Sequence, residues 1–100
     1  MVIDVVSDES TTLQVRAYAE FRFFTALARH AGLIRRVEIA CQPGRQPPAD
    51  AASCDAHVVL ESAAMVRARA RHRHVCGAID SAAAQIAHLM RQPVAQTPSS

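Results

Sequence analysis

Apolar and polar positions alternate in four stretches of the chain and recur at helical steps in two others. Val2, Ile3, Val5 and Val6, broken by Asp4, predict a first strand over residues 2–6. A polar cluster follows, in which Ser10, Thr11 or Thr12 is placed to cap a helix. From residue 13 to residue 31 the period changes. Leu13, Ala17, Phe21, Phe24, Leu27 and Ala31 recur three and four apart, which predicts a helix with that series as its apolar face and Gly32 at its C-cap. Residues 33–41 return to period two, with Val37, Ile39 and Cys41 on one face and Arg36 and Glu38 on the other. Pro43, Gly44, Pro47 and Pro48 make residues 42–53 a surface loop. A third strand is expected over 56–61 with Val58 and Leu60 inward, a turn at 62–64, and a fourth strand over 65–74. The second helix spans about 75–91, with Ile79, Ala83, Ile86 and Met90 as its core stripe. Pro93 ends it, and residues 93–100 are expected to be a disordered tail.

This order predicts an α+β fold, β-α-β-β-β-α, forming a single domain over residues 1–92. Two helices with one apolar face each must bury those faces on one side of a four-stranded sheet. The other sheet face then has no cover, and function is sought there. One hundred residues, half of them hydrophobic, suit one small packed domain and exclude the disordered class. No run approaches the roughly 18 apolar residues of a membrane span. Asp4, Asp8 and Glu9 stand where a secretory signal carries positive charge, so a cytoplasmic chain is expected. Three cysteines, Cys41, Cys54 and Cys76, lack CxxC spacing and are read as reduced thiols.

Net charge is only +2, but all eleven basic residues are arginine, and their placement is informative. The fourth strand reads Val66-Arg67-Ala68-Arg69-Ala70-Arg71-His72-Arg73-His74. Period two sets Arg67, Arg69, Arg71 and Arg73 on one face and Val66, Ala68 and Ala70 on the other. Their guanidinium groups would lie about 6.6 Å apart, near the spacing of phosphates along a nucleic-acid strand. Like charges in a row repel, and a polyanion relieves them by shedding its counterions. Arg36 on the second strand, with Arg22, Arg29 and Arg91 on the helices, widens the expected footprint. The alternative is a solvated strand whose arginines pair with Glu38 and Glu61. Such exposed pairs are worth under about 1 kcal/mol each, and two glutamates leave a surplus of positive charge.

The stretch from Val58 to Arg91 resembles the C-terminal half of the short ribosome hibernation promoting factor and ribosome-associated inhibitor family, also called sigma 54 modulation proteins. That family shows a hairpin, an alternating strand and a D-x-Y-x-A-I-D motif opening the last helix. Here the motif reads His74-Val75-Cys76-Gly77-Ala78-Ile79-Asp80, with Asp80 read as a first-turn carboxylate favouring the helix dipole. His74 and Cys76 replace the family's aspartate and tyrosine, and Phe23 and Ala26 stand where family members carry first-helix lysines. The resemblance covers roughly residues 1–92. It implies binding to ribosomal RNA of the small ribosomal subunit, and a non-enzymatic, stress-induced block of translation.

Other chemistry is weaker. His72, His74 and Cys76, even joined by Cys41, Cys54 and His57, match no standard metal spacing. Cys76 at a helix start is better explained as a small packing residue than as a nucleophile. No phosphate loop, catalytic carboxylate pair or cofactor fingerprint appears, so neither metal, cofactor nor enzyme activity is expected. Phe21, Phe23 and Phe24 exceed what one helical stripe can hold. An exposed Phe23 would support the second reading, a homodimer-forming protein-interaction module without ribosome binding.

Overall fold

The computed structural model describes residues 1–7, 12–42 and 51–91. Strands β1 (Val2–Ser7), β2 (Ile34–Gln42), β3 (Ala52–Leu60) and β4 (Met65–His72) join helices α1 (Leu13–Leu27) and α2 (Val75–Met90) in the order β1-α1-β2-β3-β4-α2. One four-stranded sheet is ordered β1-β2-β3-β4, with β1 parallel to β2 and the other neighbours antiparallel. This is the predicted α+β architecture. Ser10, Thr11, most of the proline loop and the C-terminal tail lie outside the described residues.

Alternation fixes which way each strand faces. Val37, Ile39 and Cys41 of β2, then Cys54, Ala56, Val58 and Leu60 of β3, then Ala68 and Ala70 of β4 are buried on one side. Register brings Val58 beside Val37, Ala56 beside Ile39 and Cys54 beside Cys41, so the inward rows meet across the sheet. α2 covers them with Ala78, Ile79, Ala82, Ala83, Ile86 and Met90, which includes the whole predicted stripe. The second strand contains a bulge between Ile34 and Arg36, which turns Arg35 outward without flipping the rest of the row.

α1 starts where a cap was expected: the Thr12 Oγ1 accepts the Val15 N–H at 3.1 Å. It ends earlier than predicted, passing at Ala28 into a 3₁₀ turn, Ala28–Leu33. Gly32 lies inside that turn and has no positive φ, so it is not a left-handed helix cap. The hairpin between β3 and β4 instead places Ala63 at φ 73°, in the left-handed region, with its N–H bonded to the Leu60 carbonyl.

The face of α1 that packs inward is not the predicted series. Ala19, Phe23 and Leu27 are fully buried, flanked by Val15, Tyr18 and Ala26. Leu13, Phe21 and Phe24 are 79%, 63% and 55% exposed. Both series have helical spacing, and contact with α2 decides between them. The chosen face carries Tyr18 and Arg22, which reach across to Asp80: the Tyr18 hydroxyl donates at 2.5 Å and the Arg22 Nε at 2.9 Å, both to Oδ1. Phe23 is therefore core and offers no surface for self-association. Asp80 is the sixth residue of α2, beyond its first turn, and acts through this clasp rather than through the dipole. The Tyr18 hydrogen bond first, then Arg22, holds the Asp80 carboxyl below its ordinary range. The same hydrogen bond, with Asp80's charge, pushes Tyr18 up.

Two outcomes follow for stability. Phe23→Ala should cost about 3–5 kcal/mol, as for other buried aromatics, whereas Phe24→Ala should cost under about 0.5 kcal/mol in a single copy of the chain; urea midpoints measured at high dilution separate them. A stability loss from Phe24→Ala that matches Phe23→Ala would contradict the buried face. Asp80→Asn should remove about 1 kcal/mol or less at neutral pH, since the clasp is partly solvated. A depressed carboxyl contributes above its unfolded value of 3.8 and ceases to as pH falls through the native one. Tyr18's raised pKa contributes below its ordinary 10.0 and fades above it. The gap between wild type and Asp80→Asn should thus be flat from about pH 5 to 9 and close in strong acid. A gap unchanged at about pH 2 would exclude the clasp as its origin.

Candidate nucleic-acid interface

The uncovered sheet face carries the outward row of every strand. From β4 come Arg67, Arg69 and Arg71, paired in register with His57, Asp55 and Ser53 of β3. Their exposure follows from the alternation, since Ala68 and Ala70 take the inward places. Arg73 lies beyond the strand's end at His72, in the bend leading to α2. The stripe is thus three arginines on the strand and one at its exit, not four in one row. Strand geometry makes the three span about 13 Å.

His72 closes β4 with its side chain turned to the start of α2. Its Nδ1 accepts the His74 N–H at 3.0 Å, and its ring lies over Gly77. A Cβ on Gly77 would come within 2.3 Å of that ring, so glycine is what permits the approach. The His72 and His74 rings are 6.0 Å apart. Among the described residues no group of three His, Cys, Asp or Glu side chains could hold a metal. Cys41 and Cys54 face each other in the core, where a hydrogen bond to Cys41 and burial push the Cys54 thiol up. Cys76 is exposed.

Carboxylates divide the open face. Arg36 contacts Asp4 and, at 3.6 Å, Glu38, while Arg69 lies 3.7 Å from Asp55. Arg35 lies 3.7 Å from Glu61. Among the described residues Arg67, Arg71 and Arg73 have no carboxylate partner within ion-pair distance. The middle of the sheet is charge-compensated, and the positive surplus sits on the β4 edge. Glu38 and Glu61 do pair with arginines, as the alternative reading held, but with Arg36 and Arg35 rather than with the stripe.

Arg22 and Arg29 are on the opposite side of the sheet from that stripe. They line a groove of about 550 Å³ between α1 and α2, together with Arg91 and floored by Ala26, Ala84 and Ala87. Among the described residues no acidic side chain lines it, though Arg22 is held there by its bond to Asp80. The seven arginines singled out from the sequence therefore do not form one footprint. They make a basic sheet edge and a basic helical groove, with Arg36 neutralised between acids. Arg91 was expected with Arg22 and Arg29 as part of one wider footprint; that the three form a groove of their own was missed. Its only sequence signal is the seven-residue step from Arg22 to Arg29, which places both on one helical face.

No family model matches the sequence, and no curated protein matches it. Solved structures do. The N-terminal domain of Protein Y from Thermus thermophilus superposes with a TM-score of 0.68 at 16% identity, over 90% of this chain and 91% of that one. A ribosomal subunit interface protein from Coxiella burnetii gives a TM-score of 0.70 at 14% identity, over 92% of this chain and 100% of that one. Both likenesses run through the sheet and both helices, so the chain has the fold of these two proteins along almost its whole length.

Proposed function

We propose that this chain is a diverged short-form member of the ribosome hibernation factor family, a cytoplasmic protein that binds ribosomal RNA of the small subunit and acts by occupancy, without a chemical step. The observation that carries this reading is the pairing of two clusters in which arginines outnumber the carboxylates that engage them with a fold seen in a ribosomal subunit interface protein. At the β4 edge Arg67 and Arg71 on the strand and Arg73 just beyond it have no carboxylate partner among the described residues, and the strand's two-residue repeat is near the spacing of successive phosphates. The groove offers Arg29 and Arg91, beside an Arg22 already engaged by Asp80, around a floor of alanines that lets a backbone approach closely. Guanidinium groups bind phosphate bidentately and stack on bases, so both surfaces suit RNA better than a diffuse acidic protein. Contacts of this kind position a protein without reading sequence. A ribosomal target gains its selectivity from shape, which two basic surfaces on opposite sides of one sheet would sense by bridging separate RNA elements.

The decisive measurement is sedimentation of the protein with purified small subunits across a salt series. Binding should weaken steeply with salt, and replacing Arg67, Arg69, Arg71 and Arg73 with glutamine should lower the log–log salt slope by about 3. Arg69 is expected to contribute least, because Asp55 already engages it. Arg29→Gln with Arg91→Gln should weaken binding independently, and the two sets together should abolish it. Retention of the sixfold variant on small subunits at about physiological salt would remove the arginines from the mechanism.

A further inference from the structure

Five large apolar side chains that stand exposed gather at one edge of the molecule. Val2 and Val6, 57% and 63% exposed, project from β1 on the open face. Leu13, Phe21 and Phe24 occupy the outward face of α1. Between them Ile3, Ala17, Phe21 and Phe24, with the carboxylate of Glu20, line a hollow of about 360 Å³. β1 is the edge strand of the sheet, and among the described residues no strand lies on its outer side. Its outward N–H and C=O groups therefore remain open to pairing with another extended chain. Apart from Ile3, which also packs against the core, neither the core nor the arginine surfaces use any of this.

We propose that the chain forms a two-fold homodimer in which β1 pairs antiparallel with β1 of a second copy. A two-fold axis normal to the sheet keeps both helical layers on the same side, so the sheets continue as one and the two α1 helices flank the joint. Three features select a second copy as the occupant. The site combines an unpaired strand with apolar side chains on both its flanks, and a second copy presents that same combination in complementary direction. The five side chains leave roughly 500 Å² of apolar surface in water, taking a fully exposed phenylalanine at about 200 Å². A standard interface hides about 800 Å² per partner, about 60% of it non-polar, which is the same amount.

Charge gives the third feature. Arg16 and Glu20 stand exposed one turn apart on α1, Arg16 beside the apolar stripe and Glu20 within it, lining the hollow. A two-fold axis sets opposite signs against each other twice, Arg16 of each copy against Glu20 of the other. At the strand itself Asp4 is held by Arg36, which offsets the repulsion of carboxylates brought near the axis. The inference does not rest on RNA binding, and it leaves the β4 edge and the helical groove free.

Analytical ultracentrifugation of the full chain tests it. At roughly 100 μM, well above a micromolar dissociation constant, the wild type should sediment as a dimer, and Phe21→Glu with Phe24→Glu should sediment as a monomer with unchanged circular dichroism. Ala17→Arg, a second exposed substitution in the hollow, should give the same shift. Leu33→Glu with Met65→Glu, exposed apolar positions away from β1, should remain dimeric. Hydrogen exchange should show β1 amides protected in the wild type and faster in the monomeric variant. A monomeric wild type, a dimer that survives both hollow variants, or β1 exchange that is equal in the two forms would each overturn the proposal.

Discussion

The rest of the structure depends on how α2 lies against β4. That contact is made of small side chains: Ala68 and Ala70 on the strand, Ala78, Ala82 and Ala83 on the helix, and Ala56 and Cys54 beside them on β3. Alanine packed on alanine brings a helix close to a sheet and leaves no room for a longer side chain. Any larger inward residue would overpack the layer, at a typical cost of about 1–3 kcal/mol. The register of β4 is thereby fixed. A slip of one residue would turn three guanidinium groups into that layer and three small residues out to water. An unpaired buried cation is far costlier than any contact regained, so the alternation of alanine and arginine permits one solution. The basic edge is thus a direct consequence of core packing.

Much of this was legible in the sequence because period two is unambiguous wherever arginine alternates with alanine or valine. β2 and β4 could face only one way, and the α2 stripe of Ile79, Ala83, Ile86 and Met90 had no competing series. α1 did have one. Leu13, Ala17, Phe21 and Phe24 fit helical spacing as well as Val15, Ala19, Phe23 and Leu27, and both series are apolar. What separates them is tertiary: only the second rotation points Tyr18 and Arg22 at Asp80, fifty-eight or more residues away in the chain. No local pattern contains that information. Arg73 misled for a related reason. The alternation continues through it, but the strand stops at His72, where the imidazole bonds the His74 amide and seats on Gly77.

The same geometry explains why a single basic footprint does not form. Residues on one strand share a face by arithmetic, whereas residues on helices and strands share a face only if the layers allow it. Both helices lie behind the sheet, so Arg22, Arg29 and Arg91 are separated from Arg67 and Arg71 by the thickness of the core. Acidic residues sharpen the division. Asp4 on β1, Glu38 on β2 and Asp55 on β3 engage Arg36 and Arg69, leaving charge at the β4 margin. Exposed pairs of this kind add little to stability, under about 1 kcal/mol each. Their effect is on the field, which they confine to one edge.

Opposite edges of the sheet consequently differ in kind. β4 ends the sheet in guanidinium groups and β1 ends it in valines flanked by phenylalanines. Edge strands left open invite pairing with other chains, and charge is one of the means by which proteins prevent it. β4 has that protection at Arg67, Arg69 and Arg71; β1 has one aspartate, already engaged by Arg36. The fold is therefore guarded against sheet extension on the side where an RNA surface is proposed and unguarded on the other. If both proposed contacts form, pairing at β1 places two basic edges at the far ends of one continuous sheet. Binding of the first edge to RNA then raises the effective concentration of the second, so affinity would grow without any new contact.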